Sequence, residues 1–497
     1  MLLIGLPLFA AGMLGIFSGI LVPMRKLPPH EYTQAVRAPA WFTVVIGVAL
    51  VCLSILTLRQ LPDSGDQIFI GTNGHPWLMV DAYTIWCSLL LGIVLAVTSW
   101  LPAARRSLVP RSLPPFALTL VVAGCLQFML CSVQLRLIAW SWAAALLGVT
   151  ALWIWLFRPA RRWAAYEVPI VLLLAGMLGV IGLLWLNGLA HGEATTTVWS
   201  TLVSAPPRAV SGSTLLVLLA WLGPACYLPW WLWNRREEQA MVWLPAALSL
   251  AVVGVLTLTR LIYFSFPVID TGSVQLLGLE HLFFVKRLFG WVLGWGALAL
   301  FVGAGWLAYP VVLRREMHTG ILRPLTLVIS GMLLIGLGVG YQNQYVSAVI
   351  GVLWLQFAWV GLLCVWLTAG GLLPALQTTE RPERLTLGVS LSLALISIAV
   401  IPPTPGYRSF AVFAAPLYRF GLPAVLVILA MVIAAVSTGL LLPRWYHSQA
   451  SPIRREGVGW GIIGPFALTL ALLVCGLLAG QLTPLFKLIA QSLLQAL

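Results

Sequence analysis

Runs of about 20 apolar residues recur from one end of this chain to the other, and they constrain its fold more than any other feature. A helix of that length crosses the hydrocarbon core of a bilayer. With 61% hydrophobic and 8% charged residues over 497 positions, the composition excludes an ordinary soluble domain. We therefore predict one all-α, polytopic membrane domain over residues 1–497. Its spans, about fourteen in number, are expected near 2–24, 41–58, 77–101, 115–134, 137–157, 166–187, 213–234, 241–264, 287–313, 321–342, 344–372, 386–402, 409–442 and 461–481.

Basic residues are concentrated in alternate loops. A net charge of +14 would suggest nucleic-acid binding in a soluble protein, but here most of the Lys and Arg follow odd-numbered spans. By the positive-inside rule these loops are cytoplasmic, both termini are outside, and the protein lies in a bacterial inner membrane. Trp140 and Trp142, near a span end, are typical of an interfacial aromatic belt. The basic residues of these loops are Arg25, Lys26, Arg37, Arg105, Arg106, Arg111, Arg158, Arg161, Arg162, Arg235, Arg236, Arg314, Arg315, Arg323, Arg381, Arg384, Arg444, Arg454 and Arg455.

Prolines interrupt two of the predicted spans, the seventh and the twelfth. A proline removes a backbone donor and clashes with the preceding turn, so we expect these two helices to be broken. In lipid such a break persists only where protein or a water-filled cavity covers the freed backbone. Paired breaks in two halves of a chain indicate a transporter built from repeats. The predicted break positions are Gly223, Pro224, Pro229, Pro402, Pro403 and Gly406.

Ionisable residues are scarce within the spans. Of the fourteen Asp and Glu, Asp81 and Glu167 alone fall in a predicted span, each near its end. We interpret Asp81 as an outer-edge carboxylate in water, with an anchoring role as the alternative, because buried charge is costly. Glu167 and Arg136 are read as interfacial charges or as remnants of an ion path. Arg408 either snorkels to the outer interface or replaces a missing lysine. No histidine or cysteine spacing predicts a metal or cofactor site.

Several short motifs resemble the antiporter-like membrane subunits of respiratory complex I and of Mrp-type cation/proton antiporters. The superfamily includes the membrane subunit of the two-component bacterial inorganic-carbon pump. The resemblance implies fourteen helices, with inverted repeats over 114–264 and 287–442 and breaks in helices seven and twelve. It rests on Val80-Asp81-Ala82, on Leu228-Pro-Trp-Trp-Leu-Trp-Asn234, on Arg260 at the end of the eighth span, on Leu367-Thr-Ala-Gly370 and on Ile401-Pro-Pro-Thr-Pro-Gly-Tyr-Arg-Ser409.

The departures from this family concern its proton path. The glutamate and lysines that the resemblance implies at mid-membrane align with Ala143, Pro224, Leu362 and Phe410, and the histidine of the seventh helix with Trp231. All five residues are apolar or aromatic. Because ionisable groups inside a membrane are normally kept for function, their loss indicates that no titratable relay is maintained.

The leading hypothesis is a degenerate antiporter-like subunit that scaffolds or couples a partner in a complex I-like, Mrp-like or inorganic-carbon-uptake complex. Such a subunit is not an enzyme by itself, although it can belong to an NADH-quinone oxidoreductase-like assembly as a non-catalytic member. The alternative is a stand-alone secondary transporter that binds a small solute through helix N-termini. A membrane enzyme is disfavoured because its acidic candidates form no convincing set: Glu237, Glu238, Glu316, Glu380 and Glu383.

Overall fold

The structure is a computed structural model of the full chain. It describes residues 2–21, 29–61, 68–72, 75–104, 114–157, 166–189, 207–234, 238–265, 279–312, 322–343, 346–376, 404–409, 411, 422–448 and 463–495.

Long helices make up nearly all of the described chain, which confirms the predicted all-α membrane fold. Eleven of the predicted spans coincide with the helices α1 to α11. The twelfth span lies outside the described residues, and the count of fourteen remains a prediction. The elements are α1 (Leu2–Leu21), α2 (Pro29–Gln60), β1 (Ile68–Thr72), β2 (His75–Val80), α3 (Ala82–Ala104), α4 (Pro114–Cys131), α5 (Leu135–Phe157), α6 (Glu167–Leu189), α7 (Pro207–Asn234), α8 (Glu238–Ser265), α9 (Leu279–Val312), α10 (Leu322–Asn343), α11 (Val346–Leu376), α12 (Leu422–Ser448), α13 (Ile463–Leu477) and α14 (Ala479–Gln495).

Seven described helices are long and apolar enough to cross a membrane, and an eighth crossing results if α13 and α14 count as one bent span. Five more helices contain shorter apolar stretches, in α1, α4, α7, α10 and α12. The chain forms two compact units. The first contains residues 1–228 and 235–265, and the second contains 229–234 and 266–495.

A small β-hairpin precedes the third helix, where the sequence predicted a span from residue 77. Strands β1 and β2 pair antiparallel, with Ile68 opposite Val80. The hairpin docks on the α4–α5 connection, where Val133 N donates to the carbonyl of Trp77 over 2.9 Å. Strand β2 ends at Val80, Asp81 follows it, and helix α3 begins at Ala82. A strand as apolar as β2 was indistinguishable from the start of a membrane helix by hydropathy alone.

Helix α7 runs without interruption from Pro207 to Asn234. The predicted break at Gly223, Pro224 and Pro229 is therefore wrong as a break in the helix. A proline removes only one main-chain bond, and the bonds of the adjoining turns continue the helix on both sides. At the second predicted break, Pro402 and Pro403 lie outside the described residues, whereas Gly406 belongs to a helical turn at 405–409.

Helix α8 forms the core of the first unit. Every side chain from Met241 to Leu261 is buried, because α3, α4 and α5 pack around it. Indole Nε1 of Trp243 donates to the carbonyl of Val149 on α5 over 3.1 Å. Trp153 packs edge-on against the Trp243 ring with centroids 5.0 Å apart. A helix apolar on all sides is expected to be buried, and this one is.

Glycines bring α2 and α3 into close contact at the edge of the first unit. A Cβ added to Gly47 would stand 2.5 Å from the backbone nitrogen of Ala96, and one added to Gly92 would stand 2.8 Å from the carbonyl oxygen of Gly47. Small residues of this kind permit the backbone approach that membrane helices use in place of a hydrophobic driving force.

The second unit is organised around α11. Its residues 351–368 are all buried, and it packs against α10, α13 and α14. Gly361 provides the room for α13, because a Cβ at this position would stand 2.6 Å from a methyl carbon of Leu472. Near the other end of α11, Trp354 stacks on Phe486 of α14 with ring centroids 4.2 Å apart.

Candidate functional site

Asp81 occupies the junction between strand β2 and helix α3, where it caps the helix. Its Oδ1 atom accepts the backbone N–H of Thr84 over 2.7 Å, and its carbonyl accepts the backbone N–H of Ile85 over 3.1 Å. The first N–H groups of a helix have no partner within the helix, and aspartate is among the residues that satisfy them best. The sequence therefore places a carboxylate here for a local reason, independent of any charge partner.

Arg260 brings a cation to the same carboxylate. From α8, its Nη2 atom lies 3.5 Å from Oδ2 of Asp81. Its Nη1 atom donates to Oγ1 of Thr84 over 2.9 Å and to the carbonyl of Leu130 over 2.6 Å. The hydroxyl of Thr84 in turn donates to Oδ1 of Asp81. These four residues, termed the Asp81–Arg260 cluster, connect the start of α3 with the ends of α4 and α8.

The cluster is withdrawn from solvent. The side chain of Asp81 is 0% exposed and that of Arg260 is 5% exposed. The interpretation of Asp81 as an outer-edge carboxylate in water is therefore wrong, and the anchoring alternative fits the structure. The cost argument failed because it considered the carboxylate alone, whereas the guanidinium of Arg260 and two donors of Thr84 compensate its burial.

A neutral polar network continues from the cluster between α3 and α4. Ser88 Oγ donates to the carbonyl of Thr84 over 2.8 Å, and Gln127 Nε2 donates to Ser88 Oγ over 2.6 Å. On the other side of α3, the Tyr83 hydroxyl donates to the carbonyl of Leu256 on α8 over 2.8 Å. All four of these side chains are buried, so the network fixes the mutual register of three helices.

The hydrogen bonds and the ion pair of this cluster join the ends of three helices. An arginine side chain is a poor proton relay because its guanidinium does not readily release a proton. Both oxygens of the Asp81 carboxylate are engaged by Thr84 and Arg260. A relay requires a group that gives up and regains a proton during transport. In the Asp81–Arg260 cluster these polar groups are occupied with one another.

Three further predicted site residues are exposed. Arg136, near the start of α5, and Glu167, at the start of α6, are both exposed, as interfacial charges are. Arg408 is exposed as well. It lies on the helical turn at 405–409, which Thr404 directly precedes. Thr404 accepts the backbone N–H of Arg408 at its carbonyl over 3.2 Å, so the turn is helical at this point.

Two tryptophans fill the interior of the first unit beside positions at which the resemblance implies charged side chains. Trp142 of α5 and Trp221 of α7 are both 0% exposed, and their rings meet edge to face with centroids 6.1 Å apart. Trp142 directly precedes Ala143, the position aligned with the glutamate, and Trp221 lies three residues before Pro224, the position aligned with the lysine. The assignment of Trp142 to an interfacial belt is therefore wrong.

Glycines on neighbouring helices provide the space for this pair. A Cβ added to Gly179 of α6 would stand 2.7 Å from Nε1 of Trp142. A Cβ added to Gly254 of α8 would lie 3.5 Å from the Trp142 ring and equally far from Cβ of Trp221. In the sequence, no spacing rule connects these glycines with the tryptophans, because the contacts join four different helices.

Comparison with known proteins identifies the fold. No family model and no curated protein matches the chain. Among solved structures, a chain of the Mrp complex from Dietzia sp. DQ12-45-1b is 14% identical with a TM-score of 0.73, covering 100% of this chain and 98% of that one. A chain of respiratory complex I from Thermus thermophilus with bound NADH is 16% identical with a TM-score of 0.67, and 99% of each chain is covered.

A third similar structure is the membrane-bound sulfane sulfur reductase, an archaeal respiratory membrane complex, with 15% identity and a TM-score of 0.68 over 99% of this chain and 97% of that one. The resemblance drawn from the short motifs is thus confirmed at the level of the fold: the chain is a multi-pass membrane protein that shares the fold of chains in these three membrane complexes. At 14–16% identity the similarity establishes the fold. The chemistry at each position has to be argued from the residues of this chain.

Proposed function

We propose that this chain is a non-conducting, antiporter-like subunit that scaffolds or couples partner proteins in a membrane complex. The observation that carries the proposal is the chemistry of the two most buried helices. In α8, Arg260 is the single Asp, Glu, Lys, Arg or His between Met241 and Leu261, and α11 has none over its full length. A helix at the centre of a proton path would need side chains that gain and lose protons, such as Asp, Glu, Lys or His. Neither α8 between Met241 and Leu261 nor α11 contains one.

The proposal also accounts for the polar groups that are present. Arg260 is committed to Asp81, Thr84 and the Leu130 carbonyl, so its charge serves packing of the helix ends. Trp142 and Trp221 occupy the adjoining interior with aromatic volume. Side chains of this kind exclude the water that a proton wire between distant charged groups would need.

The partners in this proposal are other subunits of a respiratory, Mrp-type or inorganic-carbon-uptake complex in a bacterial inner membrane, with both termini on the outer side. The support is architectural, because each of the three similar structures is a multi-subunit membrane complex by its description. The inverted repeats over 114–264 and 287–442 belong to the same proposal. An experimental density map in which a twofold axis in the membrane plane relates the two stretches would test them.

The alternative of a stand-alone secondary transporter requires half-helix ends that point at a solute from a break in the seventh helix. Helix α7 is continuous through Gly223, Pro224 and Pro229. The scaffold proposal does not require that break, and we therefore prefer it.

Proton flux in liposomes tests the proposal directly. The purified chain, reconstituted without partners and loaded with a pH-sensitive dye, should show no sodium- or potassium-driven proton flux above that of empty vesicles. Addition of a protonophore at the end of each trace verifies that the vesicles are sealed. Flux above the empty-vesicle rate would refute the proposal.

Substitution of Arg408 locates any flux that is found. Arg408→Ala removes the exposed cation beside the predicted break at the end of the twelfth predicted span. Arg136→Ala on α5 is the matched control. Loss of flux in the first variant alone would assign conduction to Arg408. Equal flux in both would point to a hydrated path that involves neither arginine.

A further inference from the structure

Helices α13 and α14 meet at a right angle. Their axes differ by 90° across a single intervening residue, Leu478. Main-chain hydrogen bonds are present on both sides of this residue. Leu478 N donates to the carbonyl of Val474 over 2.9 Å, and Leu482 N donates to the carbonyl of Leu478 over 3.0 Å. The turn is therefore a compact, hydrogen-bonded corner and not an open loop.

Helix α14 has one apolar face, and that face is already occupied. Phe486, Ile489, Ala490 and Leu493 recur at helical spacing and are at most 2% exposed. Phe486 stacks on Trp354 of α11 with ring centroids 4.2 Å apart. The apolar residues thus hold α14 against the central helix of the second unit.

The opposite face of α14 is largely exposed and mostly polar. Gln481, Pro484 and Lys487 are exposed on it, and Leu488 and Gln491 are partly exposed. Thr483 is exposed nearer to the packed side, and its hydroxyl donates to the carbonyl of Ala479 over 2.8 Å. If α14 continued α13 through the hydrocarbon core, Lys487 would meet lipid tails at a cost on the order of 2.5–3.5 kcal/mol or more. The exposed side chains therefore exclude a position in the core and favour a polar environment.

Helix α14 contacts α11 in the N-terminal part of that helix, which supports a position toward one surface of the membrane. Helix α11 begins at Val346, and Trp354, which stacks on Phe486 of α14, lies eight residues further along, about 12 Å at 1.5 Å per residue. Amphipathic helices that lie in the plane of a membrane occupy the boundary between headgroups and acyl chains.

We propose that α14 lies in the plane of the membrane surface, with its polar strip in the lipid headgroup layer. The strip is defined by Gln481, Lys487 and Gln491. Its occupant is the lipid headgroup region itself, because the strip combines hydrogen-bonding side chains with one cation, and phosphate oxygens complement both.

Depth profiling by spin labels tests this placement. Labels at Gln481→Cys, Lys487→Cys and Gln491→Cys, in a background without native cysteines, are compared in nanodiscs of phosphatidylcholine and phosphatidylglycerol. Collision rates with oxygen and with a water-soluble nickel chelate give the depth of each label. We expect equal, shallow depths at all three positions. A spanning α14 would instead spread them over about 15 Å, at 1.5 Å per residue between positions 481 and 491.

Helix α13 provides the matched control. Phe466, Leu470 and Val474 are exposed along one side of it, and labels there should differ in depth by about 12 Å, at 1.5 Å per residue. Each variant must elute as a single species before labelling, and variants that do not are replaced by neighbouring exposed positions. A depth gradient along α14 like that of α13 would overturn the proposal. So would labels on α14 that neither oxygen nor the chelate reaches, because a protein partner would then cover the strip.

Discussion

Removing the charge of Asp81 while keeping its shape should strongly destabilise the first unit. Asp81→Asn retains an oxygen that can accept the Thr84 N–H, and asparagine caps helices about as well as aspartate. The variant therefore isolates the ionic part of the interaction from the capping part. Asp81→Asn removes the only negative charge of the Asp81–Arg260 cluster. The side chain of Arg260, which is 5% exposed, then keeps its charge without a partner carboxylate.

The expected cost follows from this burial. Removing one partner of a buried ion pair typically destabilises a protein by about 3–5 kcal/mol, because the remaining charge stays desolvated. The contact between Arg260 Nη2 and Asp81 Oδ2 is long, at 3.5 Å, and the guanidinium keeps its bonds to Thr84 and Leu130. We therefore expect Asp81→Asn to cost about 3 kcal/mol, at the lower end of that range. Asp81→Ala should cost about 1 kcal/mol more, because the cap is lost too.

A double-mutant cycle measures the ionic coupling. The free energy of unfolding is determined by reversible titration from mild-detergent micelles into mixed micelles with sodium dodecyl sulfate. Arg260→Met should also be destabilising, since it leaves the carboxylate without its cation. The double variant Asp81→Asn/Arg260→Met should cost less than the sum of the single variants by about 2 kcal/mol or more, because neither charge remains.

Arg136→Met is the control for loss of an arginine. Arg136 is exposed on α5, and its substitution should change the free energy of unfolding by no more than about 0.5 kcal/mol. If Asp81→Asn were as mild as this control, or if the two cluster substitutions were additive, the assignment of a buried ion pair would be refuted.

Two further predictions concern packing and orientation. Gly47→Ala should lower the unfolding temperature, because its Cβ would stand 2.5 Å from the backbone nitrogen of Ala96, whereas Gly12→Ala should not, because nothing lies within 4 Å of a Cβ there; equal unfolding temperatures would disprove the close approach. Reporter fusions that distinguish the two sides of the membrane should follow the positive-inside rule, and two reversed reporters on different loops would refute the topology. The fusions are expected to read cytoplasmic at Arg111, Arg162 and Arg455 and external at Gly192 and Ser273.

Hydropathy predicted the helices well because every helix that crosses a bilayer must be apolar over about 20 residues. Eleven runs of apolar residues became α1 to α11. The same signal failed at residues 77–80, where an apolar strand leads into Asp81. Strand and helix differ there by the cap at Asp81 and by the pairing with β1, and neither property contributes to mean hydropathy.

The candidate site was only half predictable. The sequence indicated Asp81 and Arg260 separately, through motifs that resemble a family. Their pairing joins residues 179 positions apart, and no local rule connects such positions. The burial of Asp81 was missed for the same reason: the cost of a buried carboxylate depends on partners that the tertiary fold supplies.

The proline rule failed in α7 because it assigns to each proline a fixed disruption. Gly223, Pro224 and Pro229 lie within one continuous helix. In a bilayer the alternative to a helical turn is an exposed backbone, which is more costly than the one hydrogen bond that a proline removes. The environment therefore favours continuity where the same residues in water would favour a break.

The tryptophan pair accords with the proposed absence of a relay. A charged side chain in an apolar interior is strongly destabilised unless water or polar groups stabilise it. In the described part of the chain the Nε1 atoms of Trp142 and Trp221 have no hydrogen-bond acceptor, at a cost of about 1–3 kcal/mol each. Aromatic rings of this size offset such a cost through the area that they bury and the edge-to-face contact between them. The first unit is therefore held together by packing around α8 and by the buried Asp81–Arg260 pair.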